Sequence, residues 1–166
     1  MKFRRAKLGE DHPDALASMN SLAATYNALG QHDKALALNE QTLKLRRAKL
    51  GEDHPDTLSS MANLAITYRD LGQHDKALVL NEQTLKLRRA KLGEDHPDTL
   101  GSINNLAETY RALGQYDKAL ALMEQTLKLR RAKLGEDHPD TLGSMSNLAK
   151  TYGDLGQQDR ALALNE

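Results

Sequence analysis

The sequence has no cysteine and no tryptophan, one phenylalanine and four prolines among its 166 residues. Without thiols, neither a disulfide framework nor thiolate chemistry is open to it. A reducing compartment fits, and a cytoplasmic location is the expectation. There is no charge excess either: 23 basic side chains stand against 23 acidic ones. Proteins that live on nucleic acid or anionic membrane usually carry a basic surplus, because phosphate contacts dominate that affinity. Neither nucleic acid nor membrane is therefore expected as a partner. No apolar run approaches the ~18–20 residues that cross a bilayer. The opening MKFRRAKL lacks the apolar stretch of a secretion signal. Valine and isoleucine are nearly missing, with only Val79, Ile66 and Ile103. That shortage argues against the short β-branched strands of a propeller. No glycine is followed by the Gly-Lys-Ser/Thr of a phosphate-binding loop, so no nucleotide and no other cofactor is expected.

What is present is repetition. The string LGEDHPD begins at Leu8, Leu50, Leu92 and Leu134, 42 residues apart each time. A second marker, LGQ.D.AL, begins at Leu29, Leu71, Leu113 and Leu155 with the same period. Periods of this length point to a solenoid. Each repeat reads as two helices, A and B. In the second copy Pro55 suits a first helical turn, and Asp53 and Asp56 lie beside the positive helix end. Leu58, Met61, Leu64, Ala65, Tyr68 and Leu71 then recur at the three- and four-residue steps of one helical face. Gly72 supplies a stop. Helix B begins near Asp75, carries Ala77, Leu78, Leu80, Leu85 and Leu87, and ends at Leu92 before Gly93. Lys86, Arg88, Arg89 and Lys91 place cations at its negative end.

The pattern predicts one all-α domain over 1–166. Residues 1–8 form the second half of a B helix, 13–50, 55–92 and 97–134 are full pairs, and 139–166 are a helix A with the first half of a B helix. His12, His54, His96 and His138 sit one per joint. Equivalents in successive layers stand roughly 10 Å apart, too far to share one ion at the ~2.0–2.1 Å of a Zn–N bond. A structural joint is favoured, with a one-His, two-Asp metal site inside a single joint as the alternative. Every candidate for nucleophilic catalysis recurs with the repeats, whereas active sites are singular. No catalytic residue, no metal and no enzyme activity is expected.

The stretch NLAITYRDLGQHDKALVL, Asn63 to Leu80, resembles a tetratricopeptide repeat through Leu64, Ala65, Tyr68, Gly72 and Ala77. The ordinary repeat of that family is about 34 residues and ends in proline. Here the corresponding stretch, around Arg89, runs on as helix. The 42-residue form with LGEDHPDTL ahead of helix A resembles the extended repeats of kinesin light chains. The resemblance implies a right-handed α-solenoid of helix-turn-helix repeats with extended second helices. It also implies a concave side, lined by A helices, that binds peptides.

Comparing the copies with each other locates the variation. The joint RRAKLGEDHPDTL is identical at Arg46, Arg88 and Arg130, and helix B changes little, as at Asn81 against Met123. Helix A changes at five positions: Ala17/Ser59/Gly101/Gly143, Asn20/Ala62/Asn104/Ser146, Ala24/Ile66/Glu108/Lys150, Asn27/Arg69/Arg111/Gly153 and Ala28/Asp70/Ala112/Asp154. At about 100° per residue they share an arc of roughly 100°, away from the core face. Asn63, Asn105 and Asn147 flank the stripe, where an amide suits a peptide backbone, and Ser21 replaces them in the first copy. The expected ligand surface is therefore Ser59, Ala62, Asn63, Ile66, Arg69, Asp70, Gly101, Asn104, Asn105, Glu108, Arg111, Ser146, Asn147 and Lys150. Arg69, Arg111 and Lys150 are offset by Asp70, Glu108 and Asp154, so a mixed-charge peptide suits it better than a bare carboxylate. Lys44, Arg46 and Arg47 and their copies do not change, although helix B is expected to expose them. Simple surface drift therefore accounts poorly for the pattern. With Glu52, Asp53 and Asp56 alongside, that basic cluster reads as a compensated, solvated face.

A second expectation comes from the ends. MKFRRAKL matches LKLRRAKL from Leu43, and DRALALNE matches DKALALNE from Asp33. Two copies placed head to tail would nearly complete one B helix. Phe3, Leu8, Leu162 and Leu164 would be the apolar contacts. Burying them yields on the order of 5–10 kcal/mol gross against association costs of ~4–15 kcal/mol, so such a contact is weak. The first expected function is a non-enzymatic scaffold for a peptide or protein; the alternative is a self-assembling array.

Overall fold

The computed structural model describes residues 11–164, and among them are eight α-helices and no strand. In chain order these are α1 (Pro13–Ala28), α2 (His32–Leu50), α3 (Pro55–Asp70), α4 (His74–Leu92), α5 (Pro97–Ala112), α6 (Tyr116–Leu134), α7 (Pro139–Asp154) and α8 (Gln158–Leu162). The A helices α1, α3, α5 and α7 have 16 residues each, and the full B helices α2, α4 and α6 have 19. The chain forms two compact units, Met1–Lys91 and Leu92–Glu166.

The joint is a helix stop followed by a helix start. Gly51 has φ 89°, a backbone region that residues with a Cβ rarely adopt, and its N–H reaches the Arg47 carbonyl at 3.1 Å. His54 then caps α3 from extended backbone, and its Nδ1 accepts a hydrogen bond from the Asp56 N–H at 3.2 Å. His12, His96 and His138 do the same for Asp14, Asp98 and Asp140. A ring nitrogen that accepts here leaves the proton on the other nitrogen. The repeated histidine thus acts as an N-cap acceptor ahead of a proline at the first helical position. The turn from A to B closes differently. At Gly72, φ 72°, the N–H reaches the Arg69 carbonyl at 2.9 Å, and the Gln73 N–H returns to the Tyr68 carbonyl at 2.8 Å. That pair of bonds is a glycine helix stop of the Schellman kind.

In the first unit α1 packs on α2 and α3, and α2 packs on α3. Its core gathers Leu43 of α2 with Leu58, Met61 and Leu64 of α3, and Tyr68, Leu80 and Leu87 pack against them. Leu58 and Met61 are fully buried, worth ~2–3 kcal/mol apiece in removed apolar surface. In the second unit α6 lies against α5 and α7, and α7 against α8. Ala107, Met123, Leu127, Leu148 and Tyr152 form the core there, with Leu120, Met145 and Leu164 beside it.

Threonines are buried where hydropathy alone would expose them. Thr42 and Thr67 are fully buried, and their hydroxyls donate to the carbonyls of Leu38 and Asn63 one turn back. That satisfies the hydroxyl inside its own helix. Arg46 overturns an expectation. It is 6 % exposed, not part of a solvated face, and its Nη1 donates to the Asp56 carbonyl at 2.8 Å and the Ser60 hydroxyl at 2.9 Å. Its stem lies in the contact between α2 and α3, and its head holds the first turn of α3. Burial pushes its guanidinium below the ordinary arginine value, while Asp56 works the other way. Arg88 is buried as well, whereas Lys44 is exposed and Arg47 pairs with Glu52 at 2.7 Å.

A further contact recurs at the joints. Lys49 reaches the Asp11 carboxylate at 2.9 Å and its carbonyl at 3.1 Å. Lys91 makes the same two contacts to Asp53 at 3.1 and 3.0 Å, and Lys133 reaches the carboxylate and the carbonyl of Asp95.

Candidate functional site

The variable positions of helix A come together within each unit. In the first unit Ala24 and Asn27 of α1 face Asn63 and Ile66 of α3 across a cavity of about 220 Å³, closed by Asn39 of α2. Asn27 donates to the Thr67 hydroxyl at 2.8 Å, and Asn39 donates to the same oxygen at 2.9 Å. The Asn39 amide also lies 3.5 Å from the Asn63 carbonyl, an acceptor only, which orients its nitrogen toward that oxygen. Ile66 and Asn63 are half-buried on the rim. Arg69 and Asp70 pair with each other at 3.3 Å. Ser59 returns its hydroxyl to the Pro55 carbonyl at 2.9 Å. Ala62 is buried, at 8 % exposure.

The second unit presents charge at the equivalent positions. Arg111 of α5 bonds Asp154 of α7 at 2.6 Å and Glu108 of its own helix at 3.1 Å. Burial opposes the charge on this guanidinium, but the bond to Asp154 and the Glu108 carboxylate outweigh it and hold its pKa above the ordinary arginine value. A ligand carboxylate would have to compete with both partners. Asn147 of α7 donates to the Asn104 side chain of α5 at 2.9 Å, a second bond between variable positions of neighbouring A helices. Gly101 and Asn105 are half-buried, and Ser146 and Lys150 are exposed.

Asn39 is the residue that the sequence reading passed over. It lies on helix B, where variation is sparse, yet it borders the first unit's cavity, and its counterpart Met123 differs. In the second unit the Thr151 hydroxyl lies 2.9 Å from the Asn147 carbonyl and 3.3 Å from the Met123 sulfur, which has no proton to give as Asn39 does. The difference Asn81 against Met123 is visible in the sequence and was the available signal.

The apolar residues expected to serve self-association divide. Phe3 and Leu8 lie outside the described residues. Leu162 is 59 % exposed, whereas Leu164 packs toward the second unit's core. Leu164 also lines a cavity of about 700 Å³ with Leu127, Leu148 and Tyr152. Among the described residues no three His, Asp or Glu side chains gather as a metal site, and no helix is long and apolar enough to cross a membrane.

The family model of the tetratricopeptide repeat matches residues 1–48, 14–90, 70–132 and 98–166, and so runs over the whole chain. The chain belongs to the tetratricopeptide repeat family. Its fold is the all-α, helix-pair repeat of that family's solenoids. Two crystal structures of the nearly identical TPR-like repeats of Podosopora anserina, from a protein assigned to the kinesin light chains, are each 35% identical to it. They have TM-scores of 0.80 and 0.77, covering 98% of this chain and 77% of theirs. BtubC (BKLC) from P. vanneervenii is 25% identical with a TM-score of 0.80, over 98% of this chain and 65% of that one. The apo form of RapI, at 16% identity and a TM-score of 0.77, shares the fold. No curated protein matches the chain. The tetratricopeptide repeat assignment indicates a protein-interaction scaffold and no enzymatic family.

Proposed function

We propose that this chain binds a peptide or protein segment through the variable faces of its A helices, one face in each unit. The observation that carries this is the meeting of variable residues from neighbouring A helices. Ala24, Asn27, Asn63 and Ile66 surround one cavity, and Arg111–Asp154 and Asn104–Asn147 bridge α5 to α7. The first face is neutral, built of amides and aliphatic groups that suit a peptide backbone and a small apolar side chain. The second is charged but internally balanced, which favours a ligand carrying both signs. Such surfaces recognise and hold; nothing in them calls for chemistry on the ligand.

The test is selection of binders from a random peptide library on the intact chain, followed by affinity measurement on a chain carrying Ile66→Ala, Arg69→Ala, Glu108→Ala and Arg111→Ala. The selected peptide should bind the variant at least tenfold more weakly. Equal affinity would place the binding surface elsewhere.

A further inference from the structure

The first unit's cavity is lined by Ala24 and Asn27 of α1, Asn39 of α2, and Asn63 and Ile66 of α3, none of them charged. Ala24 is exposed, Asn63 and Ile66 are half-buried and Asn39 is 1 % exposed, so the lining runs inward to Asn39.

Thr67 fixes how the amides around it are turned. Its one hydroxyl proton goes to the Asn63 carbonyl at 3.0 Å, so toward other groups its oxygen only accepts. Two amides meet that oxygen, Asn27 at 2.8 Å and Asn39 at 2.9 Å, and both therefore present nitrogen to it. Each asparagine's oxygen is left on its other side. Asn27 Oδ1 has the His32 Nδ1 at 3.3 Å, a nitrogen that donates in the tautomer protonated there. Asn39 Oδ1 is shut off from water and has no hydrogen-bond partner. A buried acceptor in that state keeps its desolvation cost uncompensated. In the chain of contacts from His32 to Asn39, this oxygen is the end left open.

The second unit shows that helix packing does not itself require an amide here. Met123 stands at the position of Asn39, beside Thr151 at the position of Thr67, and is 3 % exposed. A repeat of this chain thus folds around a thioether at the same place.

We propose that the first unit's cavity receives the side-chain carboxamide of a glutamine or asparagine in the bound peptide. Its NH2 donates to Asn39 Oδ1, its oxygen accepts from the Asn63 amide at the rim, and its methylenes lie against Ala24 and Ile66. The assignment rests on the peptide-binding reading above and narrows what the first face admits. Other side chains each leave a fault. A glutamate sets an anionic acceptor against an acceptor. A lysine buries an ammonium where the lining has no carboxylate. A methionine or leucine leaves the Asn39 oxygen as it was. A serine or threonine donates, but its hydroxyl sits one bond from Cβ, short of the closed end.

Selection from a random peptide library on the intact chain, keeping the binders that weaken on Ile66→Ala, supplies the probes. These peptides should share a glutamine or asparagine at one position. Replacing that residue by methionine should weaken binding about tenfold, and glutamate should weaken it at least as much. Both peptide substitutions are read on the unaltered chain, so no folding defect enters. Asn39→Met, which copies Met123, should then remove the preference: with an unchanged circular dichroism spectrum, it should bind the amide and methionine peptides equally. Selected peptides with no shared amide residue, or an amide that methionine replaces without loss, would overturn the carboxamide assignment while leaving peptide binding at this face intact. An amide preference that survives Asn39→Met would overturn the part given to the Asn39 oxygen. A library that yields no binder sensitive to Ile66→Ala would overturn the peptide-binding reading of the first face itself.

Discussion

Arg46 shows how residue type misleads when geometry is unknown. Hydropathy assigns an arginine to solvent, and its constancy among the copies then looks like a solvated face held fixed. In the fold its guanidinium is 6 % exposed and serves two oxygens of α3, the Asp56 carbonyl and the Ser60 hydroxyl. Its constancy therefore has a packing cause and lends no weight to the contrast between helices A and B. Lys44, exposed and unchanged, still does. Removing the guanidinium takes away its two hydrogen bonds to α3 and the stem that packs between the helices. Arg46→Ala should therefore destabilise by about 2–3 kcal/mol, read as a lowered urea midpoint with an unchanged slope. Arg46→Lys should recover only part, because one ammonium cannot reproduce the planar fork. Thr67 was equally hidden from a pattern reading, since its hydroxyl is satisfied within its own helix and only then tolerates burial.

At the scale of the element, the boundaries were legible because they depend on local chemistry. Proline at the first turn, aspartate beside it and glycine after the last turn act within a few residues, so sequence spacing alone places helix A between Pro55 and the stop at Gly72, and α3 runs from Pro55 to Asp70. The core face was legible for the same reason: Leu58, Met61 and Leu64 follow the helical period and are buried. Legibility ends where one helix meets another. Nothing within α2 announces that Asn39 closes a cavity against α1 and α3, nor that Ala62 is covered. Gly72 provides a clean test of the local part. An added Cβ would meet nothing within 4 Å, so only the backbone conformation at φ +72° opposes it. Gly72→Ala should cost about 1–2 kcal/mol, measured by thermal melting, with no change in the helical content of the folded state. A larger loss, or a loss of helix, would mean that the turn does more than stop α3.

At the scale of the whole molecule, repetition multiplies small terms. A repeat chain is stabilised by its units and by the contacts between neighbours, and the lysine–aspartate clasp is one such contact, recurring at Asp11, Asp53 and Asp95. The hydrogen bond and charge of Lys49, Lys91 and Lys133 hold these three carboxyls below the ordinary aspartate value of 3.8. A carboxyl whose pKa is lower in the folded chain than in the unfolded one stabilises the fold above the unfolded value. That contribution fades as pH falls below 3.8 and through the folded value, when the native state too takes up the proton. The melting temperature should therefore drop on acidification in that window. Other carboxylates titrate there as well, so the informative quantity is a difference. A chain with Asp53→Asn and Asp95→Asn should melt below the parent at neutral pH, and the gap should narrow as pH falls through the window. These groups are exposed, so salt screens them, and raising ionic strength at neutral pH should narrow the same gap without protonating anything. A gap that ignores both pH and salt would assign the clasp to the shape of the joint rather than to its charge.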